Sequence, residues 1–142
     1  MNATLLFAAI ALGAPALKDP PKKGTDLIGE WILDSTIIGG KTELVGHEIR
    51  WRFNADGTRT IRHYGKLIVD ATYDVDATAK PAALDLNPGA PGHCHYPCIY
   101  KVSGNTLTIN VGWATADRPI DFECVIGSQC SLYVFQRARA KD

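Results

Sequence analysis

An excess of either charge is missing from this sequence. Basic and acidic side chains number 15 each, and no basic run is longer than Lys22-Lys23. Such a balance leaves no electrostatic hold on DNA, RNA or an anionic membrane, and no nucleic-acid partner is expected. Apolar runs of membrane-spanning length are missing too. The uncharged stretch from Thr4 to Leu17 falls short of the roughly 20 residues that a bilayer requires. It suits the apolar region of a secretory signal, although Met1-Asn2-Ala3 brings no basic side chain. Ala14-Pro15-Ala16 supplies small residues where a signal peptidase reads. Residues 1–16 are therefore expected to be a signal peptide and 17–25 a charged, proline-rich linker. Residues 26–139 are expected to form one domain, secreted or periplasmic, monomeric and without a membrane span after cleavage.

Helical periodicity is also lacking, since nothing beyond Leu17 keeps an apolar 3.6-residue period over a useful length. Catalytic motifs are equally scarce. Ser103, Ser128 and Ser131 stand without the glycines of a nucleophile elbow. Gly39-Gly40 is followed by no phosphate-loop Lys and Ser or Thr in register, so it reads as a turn. His47 and His63 are isolated in the sequence. Asp70, Asp74 and Asp76 fall on the polar side of one strand, where carboxylates are solvated. No enzymatic activity and no cofactor are expected.

What the chain does have is alternation. Ile49, Trp51 and Phe53 share one face with Arg50 and Arg52 opposite, and Asn54-Ala55-Asp56-Gly57 then makes a turn. Leu67, Val69, Ala71, Tyr73 and Val75 alternate with Lys66, Ile68, Asp70, Thr72, Asp74 and Asp76, the clearest strand of the chain. Tyr100 and Val102 lead through Ser103-Gly104-Asn105 to Leu107, Ile109 and Val111, a tight hairpin. Leu27 to Ile37, Arg59 to Tyr64, a segment around Leu84 and Leu132 to Arg137 complete about eight strands. Evenly spaced short strands indicate a sandwich or an up-and-down barrel.

The two ends of the domain favour the barrel. Closure makes the first and last strands neighbours, so the Trp of Gly29-Glu30-Trp31 can lie under the guanidinium of Phe135-Gln136-Arg137. That contact adds a cation–π attraction of about 0.5–2 kcal/mol to burial. Gly-x-Trp with a late Arg resembles the lipocalin and wider calycin signature. The series Leu27-Ile-Gly-Glu-Trp31, Phe53-Asn-Ala-Asp-Gly57, Ala71-Thr-Tyr-Asp-Val-Asp76 and Lys80-Pro-Ala-Ala-Leu-Asp-Leu86 extends the likeness. With Ile99 to Leu107, Arg118 to Phe122 and Leu132 to Arg137, it resembles an uncharacterised bacterial lipocalin-like domain family abundant in planctomycetes. The resemblance runs from about Asp26 to Arg139. It implies a small antiparallel all-β barrel, usually exported, and no reaction or catalytic residue.

The cysteines depart from that family pattern. In an exported domain Cys94, Cys98, Cys124 and Cys130 most simply make two disulfides, in any of three pairings. Cross-links between the two loops would close about 30 residues each, for some 3–4 kcal/mol of loop-closure entropy. Local pairing, 94 with 98 and 124 with 130, is the expectation. A zinc site built from His93, Cys94, His95 and Cys98, completed by Cys124 and Cys130, is chemically permitted. It matches no strong spacing pattern, and no metal is expected.

Function then rests on the barrel interior, which at eight strands holds either packed side chains or one small ligand. The leading reading is a binding module for a small apolar molecule, lined by Trp51, Phe53, Tyr73 and Tyr100 from the inward alternation. Trp31 reads as core, while Trp51 and Trp113 could equally fill the barrel or line a pocket. The alternative is an envelope structural protein with a filled barrel. The free volume inside the barrel separates the two.

Overall fold

Apolar–polar alternation with a period of two buries one face of each segment, and the segments that carry it are the strands. The computed structural model describes residues 24–88, 94–113 and 117–139; the expected signal peptide and most of the linker lie outside them. In chain order the strands are β1 (Gly29–Ile38), β2 (Lys41–Leu44), β3 (Ile49–Phe53), β4 (Thr58–His63) and β5 (Lys66–Asp76). They continue with β6 (Ala83–Leu86), β7 (Tyr96–Ser103), β8 (Thr106–Val111) and β9 (Ser131–Arg137). No helix occurs among the described residues.

From β3 to β9 each strand pairs antiparallel with the next, and β9 returns to pair with β1. Both β2 and β3 pair with β1, the former against Ser35–Ile38 and the latter against Gly29–Ile32. They are two pieces of one strand, interrupted at 45–48. Counted together they give a closed, antiparallel, eight-stranded up-and-down barrel. Closure removes the free sheet edges that an open meander would expose.

The seam is the pairing expected from the two chain ends. Trp31 faces Arg137 in the β1–β9 register, and the Arg137 guanidinium carbon lies 4.1 Å from the centre of the Trp31 ring. Trp31 is fully buried and donates its indole N–H to the Leu27 carbonyl at 2.9 Å. Leu27 in turn sits in a turn closed by its own N–H on the Gly24 carbonyl. Gly24 and Thr25, placed in the linker by composition, thus belong to the cap of the barrel.

Strand direction defines two ends. Turns at 54–57, 77–82 and 104–105 share one end with the chain entering β1. The other end carries the turns at 39–40 and 64–65 and the long connections 87–95 and 112–130. The last of these is tied down at the β1–β2 turn: Gly39 and Cys130 are joined by a backbone hydrogen bond of 3.1 Å, and Gly127 donates to Gly39. Gly40 has φ 87°, and a Cβ there would run into the backbone of Val125 and Ile126. Glycine at this position serves both the left-handed backbone and the close approach of that loop.

Alternation on β5 holds from Val69 to Val75 and fails at its start. Ile61 pairs with Val69 but Arg62 with Leu67, so Ile68 is an extra residue in the strand. This bulge turns Leu67 out, 46 % exposed, against its expected inward place.

The cysteines follow the expectation only in part. Cys124 and Cys130 are bridged, whereas Cys94 and Cys98 are both free thiols. Cys94 precedes β7 and is exposed, while Cys98 points inward from within it and is fully buried. Four residues of nearly extended chain span about 13 Å, and a disulfide needs Cα atoms within about 7 Å.

Candidate functional site

The barrel interior is not uniform. Toward the end that carries β1's entry it is filled, with Trp31, Phe53, Leu84, Leu107 and Phe135 all fully buried. Toward the other end it holds a cavity of about 430 Å³. That exceeds the roughly 300 Å³ at which small-molecule sites begin.

Rings make much of the cavity wall. Trp51 comes from β3, Tyr96 from the start of β7, Tyr133 from β9 and Trp113 from the long connection after β8. Trp51 and Tyr133 lie with ring centres 5.9 Å apart, and Trp51 and Phe135 are 5.1 Å apart, so the cavity floor is an aromatic cluster. Trp113 and the bulged Ile68, 49 % and 54 % exposed, stand at the mouth. The Trp113 indole N–H donates to the Gln129 carbonyl at 2.8 Å, which anchors the ring to the loop held by the Cys124–Cys130 bridge.

A buried charged group lies within this wall. Arg59 on β4 is directly opposite Phe53 across the β3–β4 hairpin, so the period of two that turns Phe53 inward turns Arg59 inward as well. Only 4 % of it is exposed, and its guanidinium carbon lies 4.8 Å from the centre of the Trp51 ring. Nη2 donates to Asn87 Oδ1 at 3.2 Å, and Asn87 is itself fixed by donating to the Cys94 carbonyl. Nε and Nη1 are buried without a partner among the described residues, as is the hydroxyl of Ser131, which borders the same cavity. Burial pulls the Arg59 guanidinium down to about 10, so it remains a cation at neutral pH. Burial pushes the nearby Cys98 thiol up to about 12, so that group stays neutral and supplies no counter-charge.

Of the four ligand-binding residues expected from alternation, Trp51 alone borders this cavity. Phe53 and Tyr100 are buried in the packed end. Tyr73 packs edge-on against Phe53, 5.0 Å between ring centres, and its hydroxyl donates to the Asn54 carbonyl at 2.6 Å. All three face inward as expected, but at the wrong depth, because alternation specifies a face and not a level along the barrel axis. Arg59 and Ser131 were not foreseen. The available signal was the phase of Arg59, which is two residues before Ile61 and in register with Phe53 through the Asn54–Gly57 turn.

The groups considered for metal are dispersed. Cys98 points into the barrel, Cys124 is bridged, and His95 Nε2 lies 2.8 Å from Asp85 on the outside; His93 lies outside the described residues. Arg118 joins that outer contact, donating to Asp85 and to the Leu84 and Cys98 carbonyls, which straps the 112–130 connection to β6 and β7. His47 and His63, isolated in sequence, meet in space with ring centres 4.9 Å apart beside Tyr64. Compared with family models, curated proteins and solved structures, the chain matches none.

Proposed function

We propose that this protein is a binding module that holds a small, mostly apolar molecule in the open end of its barrel. The observation that carries the reading is the 430 Å³ cavity itself, walled by Trp51, Tyr96, Trp113 and Tyr133. Apolar side chains around an unfilled volume forfeit the dispersion contacts that a packed core would supply, and an apolar guest restores them. Two features support export as the setting. The Cys124–Cys130 bridge is of the kind maintained in oxidising compartments, and the uncharged stretch 4–17 suits a secretory signal. The lipocalin-like reading is supported by the up-and-down closure and by the Trp31–Arg137 stack at the seam.

Titration of the protein with decan-1-ol, followed by tryptophan emission, tests the reading. Trp51 and Trp113 border the site, so a saturable change in emission is expected. An emission unchanged up to the solubility limit of the alcohol would overturn it.

A further inference from the structure

Among the described residues no other arginine has a buried N–H donor without a partner. Arg137 bonds the Ile28 and Asp26 carbonyls, Arg118 makes three hydrogen bonds, and Arg50 is paired with both Glu30 and Glu48. Arg59 is the most deeply buried of these and has one hydrogen-bond partner, the neutral side chain of Asn87. No carboxylate forms an ion pair with it among the described residues. Asp70, the acidic residue that borders the cavity, is exposed on β5 and makes no such contact. A desolvated guanidinium without a counter-ion is unfavourable unless something bound beside it supplies the negative charge. The stack on Trp51 fixes the guanidinium plane and the bond to Asn87 fixes one of its edges, leaving N–H donors in a set geometry. A carboxylate matches such an edge with two parallel hydrogen bonds.

We propose that the molecule held in this cavity is an amphipathic monocarboxylate, its acid group seated against Arg59 and its apolar body against Trp51, Tyr133 and Trp113. This rests on the reading of the cavity as a small-molecule site. Ser131, with its buried hydroxyl unpartnered, offers a second polar contact on the β9 side of the same chamber.

Calorimetric titration of the full chain with decanoate and with decan-1-ol, which share an alkyl body and differ in charge, separates the two claims. Decanoate is expected to bind at least tenfold more tightly, the difference made by one charge-assisted contact. In Arg59→Met, confirmed as folded by its thermal melt, the two affinities are expected to converge. Equal affinities for the unaltered protein would overturn the anion proposal and leave the small-molecule reading standing. Saturation by neither probe would overturn both. A tenfold preference that persists in Arg59→Met would remove Arg59 from the site. If the variant does not fold, the ratio measured on the unaltered protein still decides whether the site prefers the anion.

Discussion

Two arginines stack on two tryptophans inside this barrel, and their surroundings differ. At the filled end Arg137 covers Trp31 at 4.1 Å and spends its N–H groups on the carbonyls of Asp26 and Ile28. There the cation is a clasp, joining β9 to the chain that enters β1. At the hollow end Arg59 lies 4.8 Å over Trp51, more deeply buried, with Nε and Nη1 unused. The same pair of residue types, with donors satisfied, closes a fold; with donors left over beside a cavity, it leaves a cation for a guest. The difference lies in what each guanidinium touches beyond its ring.

The sharpest way to break the comparison is at the clasp. Trp31→Ala should lower stability by about 3–5 kcal/mol in a urea melt, as for a large buried aromatic. A loss below about 1 kcal/mol would show that closure does not depend on this ring. Opening the Cys124–Cys130 bridge, as Cys124→Ala or with reductant, releases a loop of sequence separation 6. Loop-closure entropy puts that loss at about 2 kcal/mol, read from the same melt. Because the bridge braces the connection that carries Trp113, decan-1-ol binding should weaken in parallel. Arg59→Met should have the opposite sign, raising stability of the ligand-free protein by about 1–2 kcal/mol, since an apolar side chain replaces an unpaired buried charge. A clear loss instead would make Arg59 a second clasp.

The smallest effect concerns Cys98, which lies on the wall between the two ends. Its thiol, pushed up to about 12 by burial, should resist iodoacetamide at pH 8 while exposed Cys94 reacts. Mass spectrometry should find one label on the native protein and two after denaturation. An unfolded thiol ionises near 8.5, so the folded state is the better proton holder. The stability contributed by Cys98 is therefore complete below about pH 8.5 and declines as pH rises toward 12. A chemical melt at pH 10 against pH 8 checks the direction.

Much of the barrel was legible in the sequence, for a local reason. On β3 and on β5 beyond its bulge, alternate side chains share one environment along the strand, and the pattern shows this without knowledge of the neighbours. Strands β7, β8 and β9 keep the inward phase, with Ile99, Asn110 and Leu132 buried on the other face as well. β2 was not legible, because Lys41-Thr42-Glu43-Leu44 is exposed throughout and has no inner face to mark. The bulge at Ile68 left only the apolar run Leu67-Ile68-Val69, since Leu67 and Val69 keep phase in sequence and the partner strand alone reveals the slip. Arg59 was passed over because a charged residue in a strand is read as outward. The candidate site was correspondingly half seen, with Trp51 found and the cation that faces the same space missed.

What the sequence determined by itself was the class of fold and how the ends meet. Period-two patterning, turn residues and a Trp and an Arg at opposite ends of the domain require only local propensity and the fact of closure. Tertiary structure alone decided the level of each inward side chain, which cysteines meet, and that a cavity opens where Arg59, Ser131 and Trp113 converge. These three residues come from β4, β9 and a connecting loop, and their proximity depends on strand stagger around the barrel. Stagger is a property of the closed sheet, and no single strand encodes it.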